Sequence, residues 1–346
     1  MTRPTLSATS RNGEGLTLTP AGPTAWRVTR QANGEPAQGE PIGRVRVASR
    51  AGQGEIDFRL DPAHRGMGYA SAAVRSVSDW ALDPHGGDLG VLLWRAEVGN
   101  WPARRVVWAC GYRVEGRVRG LLSDADGPRD GWIGALQRDD PRRPLLPWWE
   151  PAEIRLGDLM LRPNADGDIA RIAEACRDPA SQQFLVQLPN PYGAEEARAF
   201  LLFVAEEHAG ASSLNWAIAS VHEPERILGE ISLVGLSAGI SRAGEIGYWI
   251  HPDARRNGYA RAATRMATRH ALLPENEGGM GLDRVLLRAA ESNTGSLEVA
   301  HQAGFRNSGL DRMAQRLRDG SCVNLVRFEM IASELDEAWA HPSCLR

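Results

Sequence analysis

Two kinds of hydrophobic pattern alternate along this chain. Short apolar runs of strand length, closed by Pro or Gly, give way to longer stretches in which apolar residues recur every three or four positions. Residues 245–251 are such a run, closed by Pro252, and residues 285–289 are another. Between them, residues 258–272 place Ala260, Ala263, Ala267 and Ala271 on one helical face, small enough to lie close on a sheet, with Arg261, Arg265 and Arg269 turned to solvent. Asn293 stands where a helix N-cap belongs and Gly304 where its C′ glycine belongs, which predicts a second helix. Upstream, residues 154–162 read as a strand, residues 168–176 and 194–208 as helices, and residues 215–220 and 228–234 as strands. Such alternation predicts an α/β domain with a central sheet.

The pattern occurs twice. Residues 54–82 align without gaps on 244–272, with 13 of 29 positions identical, among them Gly54-Glu55-Ile56 with Gly244-Glu245-Ile246 and Gly68-Tyr69-Ala70 with Gly258-Tyr259-Ala260. That density marks a duplication. It extends through Asn100 and Gly111-Tyr112 to Asn293 and Gly304-Phe305. At 346 residues two domains are expected on size as well. The reading is an N-terminal domain at 1–138, a linker at 139–151 carrying Pro141, Pro144, Pro147 and Pro151, a C-terminal domain at 152–335 and a tail at 336–346. Trp148 and Trp149 in the linker are expected to dock the two domains or to bury locally against one. The N-terminal copy has only short strand-like pieces before Glu55, at 26–30 and 42–48, with no room for the helix pair found at 168–208.

Composition narrows the function. All 40 basic residues are Arg, the net charge is −3, and charged residues make up 24% of the chain, so nothing favours a nucleic-acid partner. The four cysteines, Cys110, Cys176, Cys322 and Cys344, have no Cys-x-x-Cys spacing, and the histidines show no metal-ligand spacing, so no metal is expected. Without an apolar run long enough to span a bilayer or an apolar leader, the expectation is a cytoplasmic protein.

The chemistry lies in the repeat. Arg-x-x-Gly-x-Ala occurs as Arg65 to Ala70 and Arg255 to Ala260, each after a strand and Pro and before an Ala-rich helix. A glycine-bearing loop at a helix start offers free N–H groups and a positive dipole end, which suits a diphosphate, or else is ordinary turn chemistry. Gly258 lets the main chain approach the phosphates and Arg255 adds charge, with Arg256, Asn257, Tyr259 and Ala260 completing the cradle; Arg65, Gly66, Gly68, Tyr69 and Ala70 are their weaker counterparts.

With a Glu on the preceding strand and, some thirty residues on, an Asn-capped helix and a Gly-aromatic pair, this set resembles the GNAT superfamily of N-acetyltransferases. The resemblance covers 152–335 and, more loosely, 15–138. Leu188-Pro189-Asn190-Pro191-Tyr192, Glu245-Ile246-Gly247-Tyr248-Trp249-Ile250 and Asn293-x-x-Ser296 resemble the RimJ/RimL-like branch. The resemblance implies two GNAT-like domains of α+β sandwich type, each a mixed, splayed central sheet flanked by helices, and acetyl-CoA as co-substrate, its pantetheine held by main-chain groups of Trp249, Ile250 and His251. It implies an acyl-CoA-dependent transfer to a primary amine, on a protein N-terminus or a small molecule, by direct attack. Glu245 is the implied base, or else an acidic strand residue paired with an arginine. Ser296 is the implied assistant of thiolate departure, or else the N3 residue of a capped helix, with Asn293 as cap and CoA contact. Tyr192, Trp216 and Tyr248 are expected to line the acceptor space. In the N-terminal copy Glu55 and Asn100 persist but Ala103 replaces Ser296, so that copy is expected to bind CoA weakly or not at all. A tyrosine that many members carry is absent from both copies, at Val107 and Ala300. The alternative reading is a non-catalytic CoA-sensing or assembly module. No membrane partner is implied, and the chain is expected as a monomer or homodimer.

Overall fold

The computed structural model describes residues 3–32, 35–36, 41–236 and 242–335; the tail expected at 336–346, with Cys344, lies outside them. The chain folds as two compact units, Met1–Leu145 and Leu146–Arg346. The N-terminal unit runs β1 (Leu6–Thr9), β2 (Gly15–Pro20), β3 (Ala25–Ala32), β4 (Glu35–Pro36), β5 (Gly43–Arg50), β6 (Gln53–Leu60), α1 (Tyr69–Leu82), β7 (Val91–Glu97), α2 (Trp101–Ala109), β8 (Arg113–Asp124) and β9 (Gly127–Gln137). The C-terminal unit runs β10 (Ile154–Leu156), β11 (Leu159–Arg162), α3 (Ile169–Arg177), α4 (Pro179–Phe184), α5 (Ala194–Ala209), β12 (Ser213–Ser220), β13 (Ile227–Val234), β14 (Ala243–Ile250), α6 (Tyr259–Leu272), β15 (Arg284–Ala290), α7 (Thr294–Gln302), β16 (Arg306–Arg316) and β17 (Cys322–Ile331).

The two sheets have one topology. The order β1-β2-β3-β5-β6-β7-β9-β8 matches β10-β11-β12-β13-β14-β15-β17-β16 strand for strand, with β4 an addition beside β3. Each is a mixed sheet whose one parallel pair, β6 with β7 and β14 with β15, sits among antiparallel neighbours. The structure differs from the sequence pattern in two places. Residues 154–162 form a hairpin turning at Gly157, whose φ of +56° breaks what looked like one strand. The N-terminal copy also has β1 and β2, so its sheet is complete; its reduction lies in the helices, because four residues join β2 to β3 where α3, α4 and α5 intervene between β11 and β12.

That difference is written in the burial pattern. α6 lays Ala263, Ala267 and Ala271, all fully buried, on one face of its sheet against Trp216, Ile231 and Leu287. On the other face Ile172, Ala173 and Cys176 of α3 pack on Ala217 and Ile227 with Tyr192 and Ala197. Covered on both faces, β12 is buried at every position but its last. In the N-terminal unit α1 covers one face, while Arg27, Arg44, Arg46 and Arg59 stand exposed on the other. Trp149 packs on the C-terminal core and donates its main-chain N–H to His208 O at 3.0 Å, which places it within that unit.

Candidate active site

The parallel pair of the C-terminal unit separates part-way along. β14 and β15 are paired from Ala243 with Arg284 to Ile246 with Leu287. Beyond that, β14 stays with β13 as far as Ile250, opposite Gly229, while β15 stays with β17 as far as Ala290, opposite Leu325. The sheet thus opens into a V with main-chain groups on its inner edge. Which groups these are follows from the ladder: His251 N–H donates to Leu228 O at 2.8 Å, and bonded pairs alternate along antiparallel strands, so Trp249 is committed to Glu230 while the main chain of Tyr248 and Ile250 faces the V. Of the three residues expected to offer main-chain groups, Ile250 faces the V, as Tyr248 does, whereas the main chain of Trp249 and the N–H of His251 face β13. Ile250 O also accepts from Arg255 Nε at 3.3 Å.

The loop after β14 carries two left-handed residues, Arg256 at φ +66° and Gly258 at φ +76°. The N–H groups of residues 256–261 have no acceptor among the described residues; those of 258–261 are the four that helix geometry leaves unpaired at the start of α6, and those of 256 and 257 belong to the loop before it. A Cβ built on Gly258 would meet only the Arg261 guanidinium, at 3.7 Å. The cradle expected there is open. Asn257 Nδ2 donates to Ala254 O and Arg255 O at 3.2 Å each and closes the loop on itself. The Arg255 side chain, however, turns away from the loop, to Asp178 Oδ2 at 2.7 Å and Ser181 Oγ at 2.9 Å. Arg65 repeats the contact to the strand end, donating to Leu60 O at 3.3 Å, so the motif arginine is a brace in both copies.

Across the V, Asn293 caps α7 by accepting from Ser296 N at 3.1 Å. Ser296 Oγ lies 2.7 Å from Tyr248 Oη. Burial pushes the Tyr248 phenol up to about 12, against the lowering effect of Ser296. Tyr248 and Ile250 pack with the α6 core, whereas Trp249 packs with α3 and Tyr192. Tyr248 therefore belongs to the α7 side of the sheet, not to the face under α3 and α5. Glu245 is held by Arg288 through both oxygens, Nε to Oε1 at 3.0 Å and Nη2 to Oε2 at 2.9 Å. The same pair recurs as Glu55 and Arg95 at 3.5 Å.

Under α3 and α5 lies a network that the sequence pattern did not single out. Glu230 on β13 is 4% exposed; its Oε1 accepts from Asn215 Nδ2 at 3.0 Å and its Oε2 has no partner among the described residues. Desolvation raises its carboxyl to about 8, opposed by Asn215 and the Trp249 indole. Asn215 N donates to His208 Nε2 at 3.1 Å, and burial lowers that imidazole to about 4. A lone acid inside an apolar strand run, Ile227 to Val234, was the available signal. Tyr192 is buried beside Cys176, whose thiol burial pushes up to about 12. Trp216 corrects an expectation: it is fully buried in the α6 core, its Nε1 donating to Ala152 O at 2.9 Å, and it lines no acceptor space.

The N-terminal copy keeps the V, its strands paired from Gln53 with Val91 to Ile56 with Trp94. It also keeps Asn100 as cap, accepting from Ala103 N at 3.3 Å, and left-handed Gly66 and Gly68. Its cradle is not open. A Cβ on Gly68 would lie 3.3 Å from Arg11 Cβ and 3.4 Å from Arg11 N, because the β1–β2 turn folds over the loop, fixed by a hydrogen bond from Tyr69 Oη to Glu14. A pocket of about 440 Å³ lies on its uncovered sheet face, lined by Ala25, Arg44 and Arg59, where the other copy has Asn215, Glu230 and Trp249. No helix among the described residues is long and apolar enough to cross a membrane.

The model of the acetyltransferase (GNAT) domain matches residues 11–113 and again 158–306, most of the chain. The chain belongs to the GNAT acetyltransferase family. Its two units are tandem GNAT domains. Solved structures that this GNAT chain resembles include Mycobacterium smegmatis RimJ in complex with CoA-disulfide, at 19% identity, TM-score 0.47, 55% of this chain and 92% of that one. Another is a GNAT-family acetyltransferase from Bacillus anthracis, at 19% identity and TM-score 0.45, over 53% of this chain and 100% of that one. A third is the ribosomal-protein-S5-alanine acetyltransferase of Vibrio fischeri, at 16% identity and TM-score 0.46, over 53% and 98%. A search of curated proteins finds no match.

Proposed function

We propose that this GNAT chain is an acetyl-CoA-dependent N-acetyltransferase with one working site, in residues 152–335. The observation that carries the reading is the open cradle at Gly258, directly after the splaying end of β14, in contrast to the Gly68 loop of the other unit, which Arg11 covers. The N–H groups of residues 256–261 would hold the diphosphate, where the dipole of α6 contributes about 0.3–1 kcal/mol toward an anion and charge-assisted hydrogen bonds add to it. The pantetheine arm would lie along Tyr248 and Ile250, bringing the thioester toward Ser296. An amine entering under α3 and α5 would then attack the carbonyl directly.

The acceptor is a primary amine, on a protein N-terminus or a small molecule, in keeping with the RimJ/RimL-like motifs. An α-amine of pKa about 7.7–8.0 is roughly a tenth neutral at pH 7, whereas a Lys-type amine near 10.4 is neutral at about one part in 10³. A modest base serves the former. Glu245 can act only with its Arg288 pair opened, or through water, so the reading gives it a lesser part than its strand position suggested.

Purified protein, given acetyl-CoA with a panel of peptides and small amines, should release CoA thiol. The Gly258→Leu variant should lose at least about tenfold of that rate, since a side chain there fills the cradle at a left-handed position. Release that survives Gly258→Leu and disappears in Gly68→Leu would move the site to the other unit.

A further inference from the structure

We propose that Tyr248 is a positioning residue for Ser296, the hydroxyl that the family resemblance implies beside the departing thiolate: Tyr248 Oη donates to Ser296 Oγ, and this two-hydroxyl chain orients Ser296 Oγ to donate to the CoA sulfur. The inference rests on the acyl-CoA reading and assigns Tyr248 to the thiol side of the site, not to the acceptor side that its sequence position implies.

Three observations carry it. The first is geometry: the hydroxyls lie 2.7 Å apart across the V, one from β14 and one from the first turn of α7. Ser296 sits at the positive end of that nine-residue helix, where a developing anion is favoured. Its main-chain N–H is already committed to Asn293 Oδ1 at 3.1 Å, which leaves the hydroxyl as the group Ser296 has to offer a ligand.

The second is the duplication. Tyr248 corresponds to Phe58 in the ungapped alignment, and Ser296 to Ala103 by its place three residues after the capping Asn. Both hydroxyls are therefore missing from the copy whose cradle is covered, while the strand, the splay and the Asn cap around them are kept. Fold alone does not require the pair, because the same fold forms with Phe and Ala in those places.

The third is proton affinity. Burial pushes the Tyr248 phenol up to about 12, above the range in which thiols titrate. Complete transfer of a proton from the phenol to a thiolate is therefore uphill, so the chain acts as a donor of hydrogen bonds and not as an acid that is used up. The amine lone pair forms the new C–N bond, the C–S bond breaks with its electron pair going to sulfur, and the proton lost by nitrogen passes to solvent. Both hydroxyls end as they began. A hydroxyl that accepts one hydrogen bond donates a stronger one, which gives Tyr248 its effect as a positioning residue.

The test needs no acceptor. CoA bound to the full chain is titrated by the ultraviolet absorbance of its thiolate, in the native protein and in Tyr248→Phe and Ser296→Ala. Both variants install residues with which the N-terminal copy already folds, and CoA affinity at low pH, measured by calorimetry, checks that each retains its site. In the native chain the bound thiol should titrate about one to two units below free CoA, a tenfold to hundredfold gain in thiolate at fixed pH. Ser296→Ala should return it to the free value, and Tyr248→Phe should return at least half of the shift. Native CoA that binds with an unshifted thiol, or a shift that Tyr248→Phe leaves intact, overturns this inference alone. A native chain that does not bind CoA overturns the acyl-CoA reading beneath it.

Discussion

Gly258 shows how much one residue's backbone decides. Its φ of +76° sets the turn into α6, and its missing side chain leaves the cradle open, two properties that different substitutions separate. Asn tolerates left-handed geometry better than Leu does. Gly258→Asn and Gly258→Leu should therefore differ modestly in melting temperature, while both weaken CoA binding by about tenfold or more; a binding loss that tracks stability alone would make the glycine a folding residue. Glu230 is the second residue with a measurable signature. Its carboxyl titrates near 8 in the folded chain, above its ordinary value, so it binds its proton more tightly folded than unfolded. The stability it contributes is present at pH 4 and is lost as pH rises from about 4.5 through 8. Glu230→Gln, which still accepts from Asn215, should leave the melting temperature near pH 4.5 unchanged and raise it by several degrees at pH 9. A difference that is flat with pH would place the ionisation elsewhere.

At the scale of elements, the helical cover distinguishes the units, and ion pairs tie it to the cradle. Arg255 reaches Asp178 before α4 at 2.7 Å, and Arg171 of α3 reaches Asp253, in the turn that enters the loop, at 2.9 Å. Arg171, His251 and Arg226 hold the Asp253 carboxyl well below the usual carboxylate range. The pairs are partly exposed, so each is worth about 1 kcal/mol or less; what they set is where the cover sits. Asp178→Ala should raise hydrogen exchange in α4 and in residues 252–258 several-fold, with α1 unchanged, and equal exchange in the two proteins would mean that packing alone holds the cover. Much of this level was legible. The α6 stripe, the Asn293 cap and the Gly304 stop fall where their residues placed them, because each depends on neighbours three or four positions away. β1 and β2 were not legible, being four and six residues long between turns, and their strand character comes from pairing across the sheet. The Tyr248–Ser296 contact spans 48 residues of sequence, and only comparison of the copies, Phe58 with Ala103, hints at it.

In the whole molecule, duplication preserved the scaffold and divided the chemistry. Both units keep the strand order, the splay, the motif arginine braced on its strand and the glutamate–arginine pair. The hydroxyl pair, the Asn215–Glu230 network, the helical cover and an open loop are found together in the C-terminal unit. Those absences in the other unit are physically linked: with four residues joining β2 to β3, no helix among the described residues covers that sheet face, and Arg44 and Ala25 stand where Glu230 and Asn215 would be. The claim of a single acyl-CoA site is tested most directly by calorimetric titration of CoA into the full chain and into its Gly258→Leu and Gly68→Leu variants. About one equivalent should bind per chain, be lost in Gly258→Leu and persist in Gly68→Leu. Two equivalents, or one that survives Gly258→Leu and vanishes in Gly68→Leu, would contradict the account.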